Sequence, residues 1–155
     1  MRRTSQLAIF CSLVGLGGSA VWTATPGEAT QLRVTGHDVV TGELSISYDP
    51  ACSAADHHIE FGPLANVSTL GYSGQECGMG TSGLYDSFAP GEGSYFFLVV
   101  GNDGAGTEGS YGTSFISGVH GERGQDLTDP QCSFVQDLSD RCDGRFVRRS
   151  PIAGR

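Results

Sequence analysis

Tyr95-Phe96-Phe97-Leu98-Val99-Val100 is followed by Gly101-Asn102-Asp103-Gly104-Ala105-Gly106 and then by Glu108-Gly109-Ser110-Tyr111-Gly112-Thr113-Ser114-Phe115. The first run is aromatic and β-branched and ends at turn formers, so it reads as a strand and not as a helix. The second limb, rich in Ser, Thr and Tyr, completes a hairpin of the kind that closes a β-sandwich. Alternation puts Phe96, Leu98 and Val100 on one face and Tyr95, Phe97 and Val99 on the other. Both faces are apolar, so this strand is expected inside a sheet, covered on both sides.

Working outward, shorter runs repeat the pattern between breaks of Gly, Asp, Asn and Pro. Leu32 and Val34 alternate with polar neighbours. Leu44, Ile46 and Tyr48 alternate with Glu43, Ser45 and Ser47, and His57, Ile59 and Phe61 alternate with His58 and Glu60. Each set turns one face inward. The expected core is Leu44, Ile46, Tyr48, Ile59, Phe61, Phe96, Leu98 and Val100. No helix of useful length appears before the C-terminal region, and the class expected is all-β, two sheets of about seven antiparallel strands.

The ends read differently. Arg2 and Arg3 precede an acid-free apolar run from Leu7 to Trp22, the layout of a secretory signal. Cleavage after Ala20 or after Ala29 would leave small residues where the peptidase reads. Residues 1–29 are therefore assigned to a leader, 30–118 to the sandwich, 119–144 to an acidic extension and 145–155 to a basic, disordered tail. Of the 17 acids all but Glu28 lie between Thr30 and Gly144, against only Arg33, Arg123 and Arg141. Such a body repels nucleic acid and anionic membrane. With the leader removed, no membrane span is expected.

Beyond the leader stand Cys52, Cys77, Cys132 and Cys142, an even number in a chain sent to an oxidising compartment, which implies two disulfides. Proximity in sequence favours Cys52 with Cys77 and Cys132 with Cys142, each loop contributing about 3 kcal/mol in the chain-entropy model. A four-thiolate zinc site would need Cys-x-x-Cys knuckles, which are absent.

Catalytic motifs are weak. Gly71-Tyr72-Ser73-Gly74 and Gly80-Thr81-Ser82-Gly83 both miss the second glycine of a nucleophile elbow, and no catalytic residue is assigned. His57 points inward by its alternation and reads as structural. His58 with Asp56, or His120 with Glu122, would share a strand face as metal ligands can; a solvated surface is the simpler reading. Calcium is the cofactor to weigh, since loops crowded with oxygen ligands suit it. The candidates are Asp103 and Glu108 around the Asn102 turn, and Asp137, Asp140 and Asp143, with Asp126 and Asp129, around the last two cysteines. Asn-Asp-Gly is equally what a tight turn demands. Tyr72, Tyr85 and Tyr111 could stack on sugar rings but read more simply as strand residues covering sheet faces.

Leu44-Ser45-Ile46-Ser47-Tyr48-Asp49-Pro50 resembles the second strand of a fibronectin type III domain, Phe88-Ala89-Pro90-Gly91 its Leu-x-Pro-Gly corner, and Phe96 to Asn102 its sixth strand. The resemblance spans roughly Gln31 to Ser117, with a cysteine-containing extension as in secreted bacterial proteins. Tyr48 stands where the family has its core tryptophan, and Tyr95 falls one residue after the family's tyrosine-corner position. The resemblance implies an Ig-like fold and a secreted, periplasmic or cell-surface module that binds a protein or a carbohydrate without catalysis. A calcium-dependent adhesion or ligand-binding domain is the alternative, and a small secreted hydrolase the third reading.

Overall fold

The apolar run that begins at Tyr95 lies inside its sheet, as two apolar faces require. The computed structural model describes residues 24–116, 119–124, 131–139, 141 and 142. In chain order the strands are β1 (Thr30–His37), β2 (Leu44–Asp49), β3 (Asp56–Pro63), β4 (Gly74–Glu76), β5 (Leu84–Phe88), β6 (Tyr95–Asn102), β7 (Thr107–Glu108), β8 (Thr113–Ile116), β9 (Val119–Glu122) and β10 (Val135–Gln136). One 3-10 turn, Leu64–Asn66, follows β3. The protein is all-β. Among the described residues no helix is long and apolar enough to cross a membrane.

One sheet has three strands in the order β1-β2-β5, and a second has five in the order β10-β7-β6-β3-β4. β8 and β9 form a separate hairpin. β3 and β6 pair over their whole length, from Asp56 opposite Asn102 to Pro63 opposite Tyr95. Between the two main sheets lies one core: Ile46 and Tyr48 from β2, Ile59 from β3, Phe88 from β5, Val99 from β6, and Met79. Phe88 holds its centre, 5.4 Å from the ring of Phe61 and 5.1 Å from that of Phe97. On the opposite face of the five-stranded sheet Leu98 and Val100 are buried under Tyr111, with Tyr72 packed beside them. β6 is thus covered on both sides.

Of the expected core, Ile46, Tyr48, Ile59, Leu98 and Val100 are buried. Leu44 and Phe61 are partly buried against the first cluster, and Phe96 leans on Tyr72 at 5.6 Å. Val34 departs from the alternation and stays 51% exposed. β1 is an edge strand whose register slips between Thr30 and Arg33 and again between Val34 and Gly36, and such slips disturb a strict two-residue period.

The cysteine pairing differs from the one that proximity favours. Cys52 joins Cys142, and Cys77 joins Cys132, across sequence separations of 90 and 55. The cause is the path of the C-terminal segment, which returns over the outer face of the five-stranded sheet instead of folding on itself. There β10 runs parallel to β7 at the sheet edge. Each bridge therefore fastens the body of the protein to this segment. Loops of this length contribute about 4 kcal/mol each in the chain-entropy model, more than the short loops expected from sequence.

The segment before β1 also packs on the body. Pro26 is fully buried. Thr25 bridges Arg141, and Glu28 bridges Val100. Gly27 donates its N–H to the carbonyl of Cys52 at 3.1 Å, and Cys142 donates to that of Thr25 at 3.2 Å. A side chain at Gly109 would place its Cβ 2.1 Å from the Pro26 carbonyl oxygen, so only glycine lets this segment lie flat on the sheet. Residues 24–29 thus pack against the body of the protein, and 1–23 and the tail 143–155 lie outside the described residues.

Candidate functional site

Two adjacent histidines enter opposite faces of β3, because successive strand residues alternate. His57 points into the core beside Tyr48, ring centroids 5.1 Å apart. Its Nε2 accepts the N–H of Ala51 at 3.0 Å, which places the ring proton on Nδ1, 2.8 Å from the Gly80 carbonyl. Burial holds this imidazole below its ordinary pKa, against the opposing pull of the Gly80 carbonyl. Both nitrogens serve main-chain groups, so His57 locks the loop after β2 to the loop before β5.

His58 looks outward, yet it is fully buried. Glu60, two residues on, shares its face, and Glu108 reaches the same point from β7. The His58 Nε2 lies 3.0 Å from Glu108 Oε2 and 3.4 Å from Glu60 Oε1. The Tyr111 hydroxyl donates to Glu108 Oε1 at 2.7 Å and stands 3.3 Å from Glu60 Oε1. Gln75, opposite Glu60 on β4, donates its amide to the Glu60 carboxylate. The two glutamates are 1% exposed and Tyr111 2%. Burial lowers the pKa of His58, but the two carboxylates outweigh it and hold the imidazole above its ordinary value. Burial, then Glu60 and Glu108, push the Tyr111 phenol far up, so it acts only as a donor.

The C-terminal segment seals this centre. Phe134 stacks on His58 with ring centroids 5.5 Å apart and planes 20° from parallel. The N–H of Cys132 donates to Gln75 Oε1 at 2.9 Å, beside the bridge from Cys132 to Cys77. From the far side Glu122 accepts from the Ser110 hydroxyl at 2.7 Å and from the Tyr111 N–H at 2.8 Å. Arg141 holds Glu122 in turn at 3.1 Å.

The solvated surface expected at His58 is not found, since its side chain is fully buried, and Asp56 does not join it as a ligand. Asp56 spends Oδ1 on the N–H groups of His57 and Gly80, at 2.8 and 2.6 Å, and His58 meets Glu60 and Glu108 instead. Glu122 is committed to Ser110, Tyr111 and Arg141, and the side chain of His120 lies outside the described residues. Of the calcium candidates, the described ones do not converge. Asp103 Oδ1 accepts from the N–H groups of Ala105 at 2.8 Å and Thr107 at 2.9 Å, and these bonds hold its carboxyl below the ordinary range despite some burial. Glu108 points into the sealed centre. Asp137 caps Ser139 at 2.8 Å, which lowers its pKa. Asp126, Asp129, Asp140 and Asp143 lie outside the described residues. Nor do the tyrosines form an exposed platform: Tyr111 is buried, Tyr72 leans on it at 5.9 Å, and Tyr85 is partly buried and donates to Glu76.

An open feature lies elsewhere. The β1–β2 turn presents Val39 and Val40, 84% and 89% exposed. Asp38 stiffens it: Oδ1 accepts from the N–H groups of Val40 at 2.8 Å and Thr41 at 3.2 Å, and its main chain pairs with Glu43 and Gly42. These bonds lower the Asp38 pKa. Next to the turn a cleft of about 230 Å³ is lined by His37, Gly42, Leu44, Pro90, Tyr95 and Phe97, among others.

Fold and site together define an all-β, twice-bridged protein with a sealed polar centre and a rigid apolar turn. Comparison with protein-family models, with curated proteins and with solved structures finds no match.

Proposed function

We propose that the chain is a secreted, non-catalytic interaction module of the Ig-like, fibronectin type III-like class, and that the β1–β2 turn is its contact. The observation that carries the reading is a pair of protruding valines on a turn whose backbone is already fixed, since preorganisation lowers the cost of binding. The class is supported by the three-stranded β1-β2-β5 sheet facing β4-β3-β6-β7. It is supported too by Tyr95 at the start of β6, whose hydroxyl donates to the Glu92 carbonyl at 3.1 Å in the manner of a tyrosine corner. Secretion is supported by the two disulfides and by the leader-like pattern before Trp22. A non-catalytic role is supported by His57 and His58, whose ring nitrogens face main-chain groups, carboxylates and the Asn102 amide and leave neither ring to activate a serine.

The chemistry of the turn selects the partner. Val39 and Val40 suit a shallow apolar pocket on a protein, and Asp38 and Glu43 beside them favour a basic rim. The test passes surface proteins of the producing cells over the immobilised oxidised chain and over Val39→Ser/Val40→Ser. The wild type is expected to retain a protein that the double variant releases and that rising salt weakens. Equal retention by both, or none by either, would overturn the reading.

A further inference from the structure

The sealed centre faces one imidazole with two carboxylates and leaves two buried atoms without a hydrogen bond. One imidazole faces two carboxylates, so even a protonated His58 balances only one of them. Isolated buried charge costs several kcal/mol per ion. Among the described residues no arginine enters: Arg123 donates to the Tyr111 carbonyl at 3.3 Å and Arg141 pairs with Glu122. Although His58 Nε2 lies 3.0 and 3.4 Å from the two carboxylates, it makes no hydrogen bond to either. Glu60 Oε2, equally buried, has no partner.

We propose that His58, Glu60 and Glu108 bind one zinc ion in a structural site closed by the C-terminal segment. A divalent cation offsets the excess charge and gives both orphaned atoms a ligand role, with Glu60 able to bind through both oxygens. Ligand atoms in tetrahedral positions about 2.0–2.1 Å from zinc stand roughly 3.3–3.4 Å apart. The separations from His58 Nε2 to the two carboxylates, 3.0 and 3.4 Å, fall near that value. Calcium wants six to eight oxygens from flexible, hydrated loops, and this centre offers one nitrogen and two carboxylates under a stacked phenylalanine. The hydrogen bonds from Tyr111 to Glu108 and from Gln75 to Glu60 orient the ligands from outside, as metal sites require. Ligands from β3 and β7 would make the ion a third fastening of the sheet.

Loading has a signature away from the ligands. Asn102 Nδ2 faces His58 Nδ1 at 3.4 Å, and Asn102 Oδ1 accepts the Gly104 N–H at 2.9 Å. With zinc on Nε2 the one remaining ring proton sits on Nδ1 and needs an acceptor, so the Asn102 amide turns its oxygen there and Gly104 loses its partner.

The oxidised full chain, dialysed against chelator, is titrated with zinc and separately with calcium. Metal content, thermal unfolding and the Gly104 amide resonance are recorded. One equivalent of zinc, a rise of several degrees in Tm and a shift of the Gly104 amide are expected, with no effect of calcium. Glu108→Gln and Glu60→Gln, nearly isosteric, are each expected to lose the equivalent of zinc; the second serves if the first fails to fold. A folded, stripped wild type that takes up no zinc would overturn the proposal and leave a shared proton at the centre. Zinc retained equally by both variants would place the metal elsewhere and overturn it too.

Discussion

Replacing Cys77 and Cys132 together by serine is expected to lower stability by at least about 4 kcal/mol, because the bridge closes a loop across a sequence separation of 55. For a domain of this size that is a fall of roughly 15 °C in Tm. The loss is expected to exceed the chain-entropy term. The bridge holds Cys132 against Gln75 and Phe134 over His58, so its removal lets water reach two carboxylates built for a dry site. Cys52→Ser/Cys142→Ser opens a longer loop, across a separation of 90, yet leaves the cover over His58 in place. The two double variants should thus lose similar equilibrium stability, while amide exchange around Glu60 and Glu108 accelerates only in the first. Urea unfolding with hydrogen exchange checks this. A Cys77/Cys132 variant that loses under 1 kcal/mol, with Glu60 still protected, would show that the segment is not held by the bridge.

The second large effect is expected at His58. His58→Leu keeps the volume near native but leaves Glu60 and Glu108 facing each other, both 1% exposed, with Tyr111 and Gln75 as the donors among the described residues. Removing one partner of a buried charged set costs about 3–5 kcal/mol. Neutralising the whole set should recover much of that, since replacing a buried ionic group entire is often near neutral. His58→Leu/Glu60→Gln/Glu108→Gln is therefore expected to be more stable than His58→Leu alone. Denaturant unfolding of the three proteins reads this directly. If the triple variant is the least stable of them, the charges are not what makes His58 costly to lose.

Much of the scaffold was legible because apolar period and turn chemistry act locally. Tyr95 to Val100 announced a strand covered on both faces, and the Asn102-Asp103-Gly104 stretch announced the turn whose N–H groups those side chains cap. The centre was legible only in retrospect. On β3 the residues between Ile59 and its inward neighbours are His58 and Glu60, and polar residues in alternation with apolar ones normally mark water. The signal that could have found them lay on the neighbouring strand. Val100 and Leu98 stand directly opposite His58 and Glu60 on the same face, so whatever covers one pair must cover the other. The cover itself came from residues distant in sequence, Tyr111 and Phe134. The cysteine pairing was hidden for the same reason: sequence proximity ranks short loops first, and only the return of the C-terminal segment brings Cys132 to Cys77 and Cys142 to Cys52. Small residues around Ala29 satisfy a peptidase and a tight packing site alike, as Pro26 against Gly109 shows.

The central claim is that the C-terminal segment folds back to close the outer face of the sheet over His58, Glu60 and Glu108. Mass spectrometry of a non-reducing digest of the oxidised protein tests it most directly. The expected result is two linked peptide pairs, Cys52 with Cys142 and Cys77 with Cys132. Linkage of Cys52 with Cys77 and of Cys132 with Cys142 would make the segment a separate loop and contradict the account.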